Sequence, residues 1–210
     1  MRSMKINREW DFGLGQVDLW NRLRGIWGDR KVNLPHDYMI GQDVCKDAPA
    51  GPASGYFTAP VAYYTKKLDI PREWENDVVV LSFDGVMMNG TVDINGAKAA
   101  LKHYGYSPFF VDITPYIYFG KENRVTITVN PSMQPNCRWY SGAGIYRSVE
   151  LLHGPKLHIA NGGIYVYTKS VEDFNGTKTA YLKSEIEVVN KTLENKMALV
   201  EVWLTEDGKE

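Results

Sequence analysis

The chain has 210 residues, 44% of them hydrophobic and 12% aromatic, enough to bury a core in one large or two small domains. Its 24 Lys and Arg against 25 Asp and Glu give a formal charge of −1, which argues against nucleic acid or an anionic membrane as partner and favours a neutral ligand. No apolar run approaches the roughly 18 residues of a membrane span, and the two cysteines, Cys45 and Cys137, are too few for a disulfide framework or a zinc knuckle.

In chain order, Met1 to Glu9 runs straight into polar sequence with no apolar signal-peptide core, so the chain as written reads as cytoplasmic, or as periplasmic or secreted after loss of an export signal. Gly, Pro and Asn then punctuate the sequence every ten residues or so, and the stretches between are short, β-branched or aromatic, and often alternating. Strands are predicted over Trp10 to Gly13, Lys31 to Leu34, Gly55 to Thr58, Ala62 to Ile70, Val78 to Asp84, Asn89 to Ile94, Phe109 to Asp112, Arg124 to Asn130 and Tyr146 to Leu152. Asn95-Gly96 reads as a hairpin turn. The alternation over Ala62 to Ile70 and over Arg124 to Asn130 puts one face on a core and the other in solvent, as packed antiparallel sheets require. So many short strands within about 150 residues suit a jelly roll.

Near His153-Gly154-Pro155 the composition shifts: every arginine and five of the six tryptophans lie before it. A domain boundary is predicted there, giving domains over 1–153 and 154–210. Beyond it, Lys156 to Ile159, Ile164 to Lys169, Ala180 to Asn190 and Met197 to Thr205 read as strands, about half of an immunoglobulin-like sandwich of about 100 residues. A cut sandwich would leave strand edges unpaired, so this part is expected to pair with a second copy of the chain or to be more mobile than the first domain.

Little in the chain suggests chemistry of its own. The four histidines, His36, His103, His153 and His158, have no metal-ligand spacing, no Gly-rich phosphate loop or Ser-His-Asp order is present, and no cofactor is implied. In Leu34-Pro35-His36-Asp37, Pro35 holds Leu34 extended and Asp37 bonds its own backbone two residues on, so the segment is first a strand-ending turn. The run Arg138-Trp139-Tyr140-Ser141-Gly142-Ala143-Gly144-Ile145-Tyr146-Arg147 differs. Aromatic and planar cationic side chains followed by two glycines suit a loop that presents flat, hydrogen-bonding faces, the surfaces that sugars bind. Arg138, Trp139, Tyr140 and Ser141 are therefore the candidate substrate-binding residues. The structural alternatives are that Arg147 pairs with a buried carboxylate and that Trp139 or Tyr140 packs into a neighbouring domain.

The same run resembles the segment that closes the N-terminal jelly roll of glycoside hydrolase family 2, which contains β-galactosidases, β-glucuronidases and β-mannosidases. Val32 to Tyr38, Gly55-Tyr56-Phe57 with Tyr63 to Pro71, Leu81 to Val86, Val92 to Gly96 and Gly105 to Phe109 with Asp112-Ile113-Thr114 are similar to further blocks of that family, in its order. The resemblance implies an all-β fold: a galactose-binding-domain-like jelly-roll sandwich followed by part of an immunoglobulin-like sandwich. It also implies that the two catalytic glutamates sit on a (β/α)8 barrel that follows, for which this chain has neither the length nor the strand–helix alternation. Departures bear on the sugar: Ser148 stands where well-known β-galactosidases carry an acidic residue, Gly51 to Ser54 where they carry an asparagine, and Arg138 where β-glucuronidases carry aspartate. The implied function is a non-catalytic region of a β-galactosidase-like hydrolase whose partner is carbohydrate. The alternatives are a stand-alone lectin-like module and a structural or oligomerisation module.

Overall fold

The structure is a computed structural model that describes residues 1–15, 28, 30–132 and 140–205. The chain divides into two compact units, Met1–Pro155 and Lys156–Glu210. In the first, ten strands form two antiparallel sheets: β1 (Arg2–Lys5), β2 (Trp10–Leu14), β3 (Arg30–Val32), β4 (Ala62–Ile70), β5 (Asp77–Phe83), β6 (Gly90–Ile94), β7 (Ala97–Lys102), β8 (Phe109–Asp112), β9 (Lys121–Val129) and β10 (Val149–Pro155). One sheet has the order β1-β10-β5-β8 and the other β3-β2-β4-β9-β6-β7. Among the described residues, the helical segments of this jelly-roll sandwich are single turns of 3-10 helix.

Alternation explains the layers. In β9, Val125, Ile127 and Val129 are wholly buried, and their partners Tyr64 and Ala62 on β4 bury the same face. Val79, Leu81 and Phe83 on β5 meet them from the other sheet's side of the core, with Trp10, Phe12, Ile94 and Ile113 among the fully enclosed side chains. Each such burial is worth about 1.5–3 kcal/mol, and Cys45, the cysteine among the described residues, is free. Trp10 can be enclosed because its indole N–H donates to Ile6 O at 2.7 Å. Asn95 and Gly96 both take positive φ, 52° and 87°, and close the β6–β7 hairpin in two residues, as their sequence predicts.

Several expectations need correction. Gly55 to Thr58 is not a strand: Gly55 and Tyr56 take positive φ, and the Ser54 hydroxyl donates to Phe57 O at 3.1 Å, folding the segment into turns. Tyr146 to Ser148 precede β10 rather than belong to it. Two strands were not foreseen, β1 because all four residues are exposed and β7 because it is an Ala- and Lys-rich edge with no clean alternation.

In the second unit, β11 (Leu157–Phe174) and β12 (Thr177–Asn190) form a long antiparallel hairpin. The separate strands expected before and after Ala160 are one strand, continuous through a register shift between Ile159 and Ile164. Met197 to Thr205 forms no strand, since a strand exists only by pairing, and Met197 is 99% exposed. A two-stranded sheet with no buried residue is marginal in water. Amides of β11 and β12 are therefore expected to exchange with deuterium roughly a hundredfold or more faster than those of β4 and β9; equal protection would mean that this hairpin is stabilised by something beyond its own pairing.

Candidate functional site

The candidate loop is built on Asp37. Its Oδ1 accepts from the Met39 N–H at 3.0 Å, the turn bond that its position predicts, and also from the Ala143 N–H at 3.0 Å. Its Oδ2 accepts from the Tyr140 hydroxyl at 2.8 Å. Two backbone bonds run alongside, from His36 N–H to Ile145 O at 2.8 Å and from Tyr38 N–H to Ala143 O at 3.0 Å. Residues 140–145 are thus zipped onto residues 36–38, about a hundred positions earlier in the chain.

This approach explains the two glycines. A Cβ on Gly142, whose φ is 67°, would lie 2.5 Å from Asp37 Oδ2. One on Gly144, at φ 137°, would lie 2.3 Å from the His36 carbonyl oxygen and 2.6 Å from the Tyr64 hydroxyl. Gly144 also exchanges a pair of 2.9 Å backbone bonds with Met87, so the loop is gripped from both sides.

Beneath the clamp, His36 Nδ1 lies 2.8 Å from the Tyr64 hydroxyl, and the imidazole stands edge-on to Phe12 at 4.7 Å. Burial and then the Arg30 guanidinium hold His36 below the ordinary histidine pKa, against a smaller opposite pull from Asp37. Burial raises the hydroxyls of Tyr38 and Tyr64, and burial together with the bond to Asp37 raises that of Tyr140, so all three stay protonated donors at neutral pH. Because His36 binds its proton less readily folded than unfolded, its contribution is fully present above about pH 6.5 and is lost as the pH falls through its lower native value. Urea unfolding is expected to show stability falling below about pH 6.5, with a shallower fall in His36→Gln; an unchanged slope in that variant would mean that other groups carry the effect.

Of the four candidate residues, Arg138 and Trp139 lie outside the described residues. Tyr140 is half-buried and its ring stands edge-on to Phe57 at 5.3 Å, so its hydroxyl and one face serve the loop's own anchorage. Ser141 is half-buried beside it. Sequence reasoning missed Asp37 as the clamp, because its partners at 140 and 143 carry no local signal of the pairing. It also passed over Tyr104 and Tyr106, which are 61% and 45% exposed and meet edge-on at 5.6 Å. Their loop is strapped down by the Tyr146 hydroxyl, which donates to Gly105 O at 2.8 Å.

Two of the three departures from the family pattern, Ser148 and Gly51 to Ser54, have structural tasks. Ser148 Oγ accepts from the Asn7 amide at 3.1 Å, and Asn7 Oδ1 accepts from the Val149 N–H at 2.8 Å. Gly51–Ser54 is a 3-10 turn with Ser54 buried. Among the described residues no cluster of three or more His, Cys, Asp or Glu could hold a metal ion, and no helix is long and apolar enough to cross a membrane. Nor does the sheet order bring Asp112, Glu150 and Asp93 together as a glycosidase pair. Asp112 on β8 and Glu150 on β10 are separated by β5, about 10 Å of sheet, where a retaining mechanism needs about 5 Å. Asp93 belongs to the other sheet.

Residues 23–155 match the family profile described as "Glycosyl hydrolases family 2, sugar binding domain". The chain belongs to glycoside hydrolase family 2. It is 34% identical over 198 residues to beta-galactosidase BoGH2A of Bacteroides ovatus, an alignment that covers 93% of this chain and 23% of that protein. It is 26% identical over 219 residues to a beta-glucuronidase of Bacteroides fragilis, covering 99% of this chain and 29% of the relative. Its fold superposes on a beta-glycosidase from Bacteroides vulgatus with a TM-score of 0.78 and 29% identity, over 92% of this chain and 25% of that one. The chain thus spans less than a third of the length of these family 2 relatives. Within family 2 enzymes it corresponds to the sugar-binding jelly roll, and the all-β expectation holds.

Proposed function

We propose that this chain serves as a non-catalytic region of a β-galactosidase-like family 2 hydrolase acting on terminal β-linked sugars. In this reading the sandwich of residues 1–153 supports a catalytic barrel and lends Arg138, Trp139, Tyr140 and Ser141 to its substrate pocket, while residues 154–210 begin an immunoglobulin-like domain. The observation that carries it is the clamp: six hydrogen bonds, two of them to one carboxylate, and two glycines without room for a side chain hold residues 140–145 against residues 36–38 and Met87. Rigid support is what a loop needs in order to place polar groups against a sugar in a neighbouring pocket.

Residues 1–210 alone are expected to leave nitrophenyl β-galactoside, β-glucuronide and β-mannoside intact, at the rate of the enzyme-free blank. Turnover that disappears when one carboxylate of this chain is mutated would overturn the reading. A lectin-like role is the second reading, favoured by the exposed Tyr104–Tyr106 pair. Calorimetry with galactose and glucuronate separates the two, because a loop forming one wall of a pocket cannot bury most of a monosaccharide. Tight binding abolished by Trp139→Ala would favour the lectin.

A further inference from the structure

The outer face of the six-stranded sheet carries a groove of about 480 Å³, on a different part of the sandwich from the clamped loop. Its floor is set by strand register. Tyr63 on β4 sits beside Thr128 on β9, which sits beside Thr91 on β6, and Thr126 on β9 sits beside Asp93 on β6. Arg124, Glu122 and the Asn95-Gly96 turn close the other end. From Thr128 to Glu122 the groove follows seven residues of β9, about 20 Å at the rise of a strand.

The lining excludes most occupants. Two carboxylates, Asp93 and Glu122, are matched by Arg124 and by Lys67, whose ammonium lies 3.0 Å from Glu122 Oε1. A balanced set has no preference for polyanions such as nucleic acid or sulfated chains. A protein interface needs an apolar centre, whereas among the described residues this surface offers one aromatic ring, Tyr63, among hydroxyls and charges. Carboxylate, guanidinium, threonine hydroxyl and tyrosine ring are the groups that together bind vicinal hydroxyls and the apolar face of a sugar ring. They stand on three adjacent strands whose pairing fixes the spacing of the backbone positions that carry them.

We propose that this sheet face is a second carbohydrate site, which takes a neutral oligosaccharide of several units along β9. It does not depend on the clamped loop, and its test reads different residues. The 15N-labelled chain is titrated with β1,4-galactotetraose, with cellotetraose and with an oligogalacturonate of the same length. A neutral tetraose is expected to shift the amides of Tyr63, Asp93, Arg124 and Thr128 with millimolar affinity, and Tyr63→Ala and Arg124→Ala are each expected to weaken binding about tenfold while melting stays unchanged. Four results would overturn the proposal. These are no shift at about 10 mM sugar, equal binding of the oligogalacturonate, shifts confined to residues 140–148, and concentration-dependent shifts of this face without sugar, which would mean that another copy covers it.

Discussion

Gly144→Ala is expected to destabilise the sandwich by about 3–5 kcal/mol, combining the strain of a side chain at positive φ with forced repacking. The new Cβ would sit 2.3 Å from a backbone oxygen, that of His36, and 2.6 Å from the Tyr64 hydroxyl, at a φ of 137°. A backbone atom cannot rotate aside as a side-chain tip can. Relief therefore requires breaking the Gly144–Met87 pair or the His36–Ile145 bond. Against a total stability of about 5–15 kcal/mol, that loss would lower the melting temperature by about 10 °C or leave the chain unfolded. Gly41→Ala is the control, since Gly41 has open space around its Cβ direction and a negative φ, and it should melt within a degree or two of the parent. Similar melting of the two variants would show that the 140–145 loop does not pack against residues 36–38.

Asp37→Ala is expected to cost about 2–4 kcal/mol. It removes one charged acceptor from three donors at once, the Met39 and Ala143 N–H groups and the Tyr140 hydroxyl. Asp37→Asn should cost about half as much, because the amide oxygen still accepts from the two N–H groups. Hydrogen exchange gives the local readout: the Met39 and Ala143 amides should lose protection in Asp37→Ala while the β4 and β9 amides keep theirs. If Ala143 stays protected, the clamp is held by the backbone bonds alone and the carboxylate has another purpose. On the proposed function, the same substitution in a full-length hydrolase should lower kcat/KM through the loop, which an effect on global stability alone would not do at temperatures well below melting.

The sequence by itself determined the strands that have one buried face. In β4 and β9 the alternation of apolar and polar residues reports the two faces of a pleat, and each assignment needs only its neighbours two positions away. The Asn95-Gly96 hairpin and the Asp37–Met39 turn bond were legible for the same reason, since both partners lie within a few residues. The aromatic-glycine run at 138–147 was also visible, and with it the family, because those blocks keep their order along the chain.

The tertiary structure alone decided what those residues do. That the Asp37 carboxylate holds Tyr140 and Ala143 is a pairing across 103 and 106 positions, and no local pattern encodes it. The need for glycine at 144 was readable as freedom of φ, but its cause is the His36 carbonyl packed against it. β1 exists only because β10 offers it an edge, whereas Met197 to Thr205, with a more apolar sequence, has none and forms no strand. The groove on the six-stranded sheet arises the same way: Tyr63, Asp93 and Thr128 come from three separate strands, and only their register brings ring, carboxylate and hydroxyl to one face. Local patterning fixes which side of a strand is buried, while the choice of neighbour depends on closing loops of up to a hundred residues, a term that no short window of sequence contains.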